Sequence, residues 1–191
     1  MQAFLISTGV VALAEIGDKT QLLAFVLAAR FRRPWPIIAG IVCATLLNHG
    51  LAGALGAWIT SVVQPETLRW VLGASFIAMA AWVLIPDKID DEEVSSATRL
   101  GVFGTTLVAF FLAEMGDKTQ VATVALAANY SAIVSVVLGT TLGMLIANVP
   151  AVLIARKFVE RVPMKLVHTV AAVIFLILGV LTLSGVGQGA Y

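Results

Sequence analysis

Charged residues, cysteine and histidine are all scarce in this 191-residue sequence. Only 12% of the residues are charged and 60% are hydrophobic, whereas soluble domains carry about 25% charged residues. These proportions exclude an ordinary soluble domain and predict an integral membrane protein. The single cysteine, Cys43, excludes an intrachain disulfide. No basic patch with interleaved aromatic residues is present, which argues against a nucleic-acid partner.

Long apolar runs fill most of the chain. Six of them approach the length of about 20 residues that carries a helix across the hydrocarbon core of a bilayer. They cover roughly residues 3–29, 37–63, 68–85, 101–128, 132–155 and 166–183. The sequence therefore predicts an all-α membrane protein with six transmembrane helices embedded in a lipid bilayer.

One long polar segment interrupts this pattern at residues 87–98, where five acidic residues and one lysine occur. We interpret the segment as a solvated cytoplasmic linker. It would join a first three-helix repeat, residues 1–86, to a second, residues 99–191. An alternative is that its acidic side chains gather cations at the membrane surface, although charge runs are usually only solvated.

A charged motif occurs twice within the apolar runs, once in each half. Residues 14–21 read AEIGDKTQ and residues 113–120 read AEMGDKTQ. At an offset of 99 residues, positions 13–29 and 112–128 agree at 11 of 17 positions, which indicates an internal duplication. Because each half has three predicted spans, the second half would enter the membrane in the opposite sense. The prediction is an inverted-topology repeat.

Lysine and arginine residues collect on one predicted side of the membrane. The loops after the first, third and fifth runs hold nine of them, and the opposite side holds only Arg69. Cytoplasmic loops are enriched in these residues. We therefore expect both termini to face outward and the acidic linker to face the cytoplasm.

Each motif places two carboxylates and a lysine inside an apolar run, where one ionisable side chain costs about 3 kcal/mol. On a continuous helix, Glu15 and Asp18 would share a face and Lys19 would flank Glu15. The equivalent residues of the second copy are Glu114, Asp117 and Lys118. Gly17 within the motif permits either a close helix crossing or a local unwinding.

Two-fold pseudosymmetry would bring the motifs together near the middle of the membrane as an oxygen-rich site. The candidate metal ligands are Glu15, Asp18, Glu114 and Asp117. Such a site suits a hard divalent cation such as Mn2+, Ca2+ or Mg2+, and neither motif supplies the Cys or His that would favour zinc or copper. Supporting positions, which would add ligand atoms or interhelical hydrogen bonds, are Lys19, Thr20, Gln21, Lys118, Thr119, Gln120, Asn48, His49 and Asn148.

The doubled Glu-x-Gly-Asp-Lys-Thr motif in a small six-span chain resembles uncharacterised protein family 0016, the manganese and calcium cation/proton antiporters. The resemblance implies that the four motif acids bind a transported cation, which leaves the cytoplasm in exchange for protons. The family includes both Mn2+ and Ca2+ transporters; because bacterial members of this size resemble manganese exporters, we expect Mn2+ first and Ca2+ second. It also implies a bacterial inner-membrane location, where the Lys and Arg bias predicts periplasmic termini. We expect no enzymatic activity and no bound cofactor. Assembly into a homo-oligomer is compatible with the sequence.

Other interpretations of the motifs remain open at the level of sequence. An exporter of an amino acid or other small solute would use the two lysines to bind a substrate carboxylate, but four acids outnumber them. A purely structural motif would pair acids with lysines to hold helices together. An enzyme is disfavoured because no Ser or Cys stands beside a usable base.

Overall fold

The computed structural model describes residues 1–85, 100–130, 132–154 and 164–185, so the predicted linker at 87–98 lies outside the described residues. Within these ranges the chain forms eight α-helices and no β-strand, which confirms the all-α class. The helices are α1 (Gln2–Glu15), α2 (Lys19–Phe31), α3 (Pro34–Val62), α4 (Pro65–Trp82), α5 (Gly101–Glu114), α6 (Lys118–Tyr130), α7 (Ile133–Ile154) and α8 (Met164–Ser184).

The two motif-bearing runs are each broken into two helices at the motif. Glu15 is the last residue of α1, and Asp18 is the N-cap of α2. Gly17 has φ of 86° and Gly116 has φ of 79°, a left-handed conformation that glycine adopts without steric cost. The prediction of one continuous helix, with Glu15 and Asp18 on a common face, is therefore wrong. The alternative of local unwinding at the glycine is confirmed.

Two of the described helices are by themselves long and apolar enough to cross a membrane, namely α3 and residues Ile133–Leu153 of α7. With 29 residues, α3 is about 43 Å long. Leu47, Leu51 and Trp58 form an exposed apolar stripe along it, each at least half exposed. A surface of this kind is suited to lipid and unsuited to water.

The halves of the chain interlock through these long helices. α1 packs most extensively against α7, and α5 packs most extensively against α3. A Cβ atom on Gly40 of α3 would lie 2.7 Å from the Cβ of Thr106, and one on Gly139 of α7 would lie 2.6 Å from the carbonyl oxygen of Phe4. Since Gly40 and Gly139 are 99 residues apart, the same close approach occurs twice.

A pair of aromatic rings joins α4 to α8. Phe76 and Phe175 are both fully buried, and their rings stack with centroids 6.4 Å apart and an interplanar angle of 28°. These residues are also 99 positions apart, so each contacts its own repeat equivalent. Such a contact is what a two-fold arrangement of the two halves would produce. The 99-residue offset found in the sequence thus also relates contacts between helices: those at Gly40 and Gly139, and the pair Phe76 and Phe175.

Candidate metal centre

The chain breaks at the motifs are stabilised by a glutamine in the following helix. The backbone N–H of Gly17 donates to Gln21 Oε1 at 3.0 Å, and that of Gly116 donates to Gln120 Oε1 at 2.8 Å. Interrupted backbone within a membrane needs such partners because lipid supplies none. Gln21 Nε2 also donates to the carbonyl oxygen of Ala147 at 2.8 Å, which attaches the first break to α7. Both glutamines therefore stabilise the unwound backbone at the two breaks.

The threonine of each motif reaches back across the break to the glutamate. Thr20 Oγ1 donates to Glu15 Oε1, and Thr119 Oγ1 donates to Glu114 Oε2 at 2.9 Å. One oxygen of each glutamate is fixed in this way. The other, Oε2 of Glu15 and Oε1 of Glu114, is buried without a hydrogen-bond partner among the described residues. An acceptor oxygen that is buried and unbonded is costly unless a cation or proton occupies it.

Three of the four predicted acids converge. Glu15, Glu114 and Asp117 each offer one carboxylate oxygen, and these oxygens all lie within 4.8 Å of one another. Both glutamates are 0% exposed and Asp117 is 5% exposed. Oxygen ligands bind hard divalent cations at about 2.0–2.6 Å, so two ligands of one ion are at most about 4–5 Å apart. The spacing of the three oxygens fits a single ion.

The two lysines pair across the motifs. Lys118 Nζ lies 3.5 Å from Asp18 Oδ1, and Lys19 Nζ lies 4.0 Å from Asp117 Oδ1. Each lysine thus pairs with the aspartate of the other copy, and the pairing within a copy that the helical spacing suggested is wrong. Asp18, held by Lys118, is outside the group of three converging carboxylates.

The polar residues predicted on the neighbouring helices bind backbone groups. Asn48 Nδ2 donates to the carbonyl oxygen of Phe111 at 3.0 Å and so joins α3 to α5. Asn148 Nδ2 donates within α7 to the carbonyl oxygen of Met144 at 3.1 Å. His49 is fully buried, and among the described residues it is not part of the cluster formed by Glu15, Glu114 and Asp117. Interhelical hydrogen bonding, the second role considered for these positions, is confirmed for Asn48.

The charges of the centre do not cancel. Four carboxylates and two lysine ammonium groups sum to −4 + 2 = −2 when all are ionised. Buried charge of this size is unfavourable unless it is compensated. One divalent cation or two protons would compensate it. The arrangement is therefore suited to binding a divalent cation and protons in competition.

Comparison with known proteins identifies the family. The family model described as Divalent cation/proton antiporter GDT1 matches residues 3–91 and 102–189. The chain belongs to this family. A Vibrio cholerae protein named "Putative manganese exporter" is 52% identical over 183 residues, which are 95% of this chain and 90% of that protein. No solved structure matches the chain.

More distant relatives of the GDT1 family extend over most of the chain. GDT1-like protein 4 of Oryza sativa subsp. indica is 29% identical over 199 residues, covering 91% of this chain and 70% of that protein. GDT1-like protein sll0615 of Synechocystis is 26% identical over 205 residues, covering 95% and 97% respectively. The family assignment confirms the resemblance found in the motifs and makes the chain a membrane protein of an ion-transporting class, not of an enzyme family.

Proposed function

We propose that the protein exports a divalent cation from the cytoplasm in exchange for protons, at one site shared by the two motifs. The family supports cation and proton as substrates. The observation that carries the proposal is the convergence of Glu15, Glu114 and Asp117 oxygens within 4.8 Å in a buried position. Asp18 is the fourth acid of the site, and no resident cofactor takes part.

Mn2+ is the proposed cargo, with Ca2+ as the second choice. The converging side chains offer only carboxylate oxygen, which suits Mn2+, Ca2+ and Mg2+ better than zinc or copper. The name of the Vibrio cholerae relative refers to manganese, and this favours Mn2+ among the hard cations.

Protons are coupled to the ion because both compensate the same negative charge. With a net charge of −2 on four acids and two lysines, the departing ion is replaced by two protons on the carboxylates. The cost of leaving the buried carboxylates uncompensated links the two fluxes. Inward movement of protons then drives outward movement of the cation.

The proposed topology has three spans in each half and inverted-topology repeats. Helices α1 and α2 together form one broken span, as do α5 and α6, and the other four helices each form one. The paired contacts at an offset of 99 residues support the repeat, and nine Lys and Arg residues against one support periplasmic termini in a bacterial inner membrane. Alternating exposure of the site follows from rocking of one repeat against the other.

Export of an amino acid or other small solute is the alternative. It would need the lysines to receive a substrate carboxylate. Each lysine instead lies within 4.0 Å of an aspartate of the other motif, which supports a cation as the cargo.

The decisive experiment is ion flux in proteoliposomes that contain the purified protein. We expect Mn2+ uptake or release to respond to an imposed pH gradient and to move protons in the opposite direction. Parallel runs with Ca2+ and Mg2+ at the same gradient establish the preference. Mn2+ transport that neither moves protons nor responds to the gradient would refute the exchange mechanism.

A further inference from the structure

The two cross-motif ion pairs are equivalent by sequence but unequal in the structure. In the Lys118–Asp18 pair the side chains are 1% and 0% exposed and the charged atoms are 3.5 Å apart. In the Lys19–Asp117 pair they are 20% and 4% exposed and 4.0 Å apart. The Lys118–Asp18 pair is therefore shorter and more deeply buried than the Lys19–Asp117 pair.

The chain breaks have the same inequality. Met115, at the second break, is 55% exposed, whereas its repeat equivalent Ile16 is partly buried. The bond from Gly116 to its glutamine is exposed, whereas that from Gly17 is partly buried. Asp117 and its partner Lys19 meet at the open break, and Asp18 adjoins the closed one. Side-chain and backbone exposure thus mark the second break as the less buried end of the site.

The inequality also decides which aspartate joins the ligand group. Asp117, in the looser pair, has an oxygen within 4.8 Å of oxygens of Glu15 and Glu114, whereas Asp18 does not belong to that group. A lysine ammonium and a divalent cation bind the same carboxylate oxygens, so the tighter the ion pair, the less available its aspartate is to the ion.

We propose that the two ion pairs act as reciprocal gates, and that the two aspartates take turns as ligands of the ion. This inference rests on the proposed function. In the state described here, Lys118 holds Asp18, and the ion binds Glu15, Glu114 and Asp117. In the state open to the other side the repeat exchanges the roles, so that Lys19 holds Asp117 and Asp18 joins the two glutamates. The glutamates bind the ion in both ion-loaded states and release it only when protons replace it.

Charge balance is preserved in both states of this cycle. The closed pair is neutral by itself. The ion, three carboxylates and Lys19, which keeps its longer contact with Asp117, sum to +2 − 3 + 1 = 0. Neither ion-loaded state leaves an uncompensated charge, so net charge prevents neither state from being populated.

The test measures which end is open, independently of transport. Reporter cysteines replace Ile16 or Met115 in a Cys43→Ser background, and their reaction rates with a water-soluble maleimide are compared in the purified full chain. With both ion pairs intact, the cysteine at position 115 should react faster with the maleimide than the cysteine at position 16. Lys118→Gln should shift the ratio of the two rates about tenfold toward position 16, the effect of roughly 1.4 kcal/mol on a two-state equilibrium. Lys19→Gln should shift it the other way.

Matched variants keep the test decisive. Lys118→Arg retains the charge and should retain the original ratio. If Lys118→Gln fails to fold, the neutral pair Asp18→Asn with Lys118→Gln removes the gate without a buried lone charge. Labelled in the absence of divalent cation, where Asp18 is no ligand, it should give the same shift. Equal ratios in the Lys118→Gln and Lys19→Gln backgrounds, or shifts of the same sign, would overturn the reciprocal gates. A correct labelling pattern without Mn2+ flux would overturn the proposed function alone.

Discussion

Removal of one glutamate charge is the sharpest probe of the shared site. Glu15→Gln keeps the side-chain volume and the oxygen that accepts from Thr20, and Glu114→Gln does the same in the second motif with Thr119. If both motifs build one site, each change should disable the whole transporter. If each motif bound its own ion, each change should disable only half of the transport.

The size of the effect follows from the crowding of the carboxylates. At up to 4.8 Å and an effective dielectric constant near 20, each pair of ionised carboxylates repels by about 3.5 kcal/mol. Three pairs among Glu15, Glu114 and Asp117 amount to about 10 kcal/mol, and a single Gln variant retains only one pair. Through this repulsion, the free energy that draws a cation or protons into the site falls by about 7 kcal/mol.

We therefore expect each single variant to lose at least about 100-fold in initial Mn2+ flux, since even residues behind the ligands of metal sites cost about 10–100-fold. The double variant should be hardly worse, because residues that act as a unit are not additive. Glu66→Gln, which alters an exposed carboxylate paired with Arg69, is the matched control and should leave flux unchanged. Single variants that keep about half the flux, with a double variant that has none, would refute the shared site.

Three further predictions concern topology, ligand support and packing. A C-terminal reporter that is active only outside the cytoplasm should be functional, and activity restricted to a cytoplasmic reporter would reverse the assigned orientation. Thr119→Val, which removes the donor to the second glutamate, should lower Mn2+ flux about tenfold. Thr123→Val, whose hydroxyl donates to the carbonyl oxygen of Thr119 within α6, should not. Gly139→Ala places a Cβ 2.6 Å from a carbonyl of α1 and should destabilise the fold by about 1–3 kcal/mol, seen as a lower thermal unfolding midpoint, whereas Gly50→Ala meets nothing within 4 Å and should not.

Composition and repetition were sufficient to predict the helical class and the meeting of the two motifs. A carboxylate that interrupts an apolar run needs a partner, and the same eight-residue pattern occurs in both halves. Glu15 could therefore be expected beside Glu114 and Asp117, as the structure shows.

The details of the centre depend on tertiary geometry that one motif does not contain. Gly17 is compatible with a helix or with a break, and only its φ of 86° distinguishes them. Helical spacing favours contacts between residues three or four apart, yet Lys118 selects Asp18 from the other half. No local pattern distinguishes this pairing from the one within a copy. The break at Gly17 and the pairing of Lys118 with Asp18 both depend on the packing of α1 on α7 and α5 on α3.

That interlocked packing also orders the events of biosynthesis. Roughly 120 residues separate the end of α1 at Glu15 from the start of α7 at Ile133, and at about 5–20 residues per second their synthesis takes about 6–24 s. During this interval α1 and its buried glutamate have no α7 to pack on. The first half therefore stays in the membrane without its packing partner until the second half is made. A chain released before α7 emerges would expose its acidic motif to lipid and become a substrate for quality-control proteases.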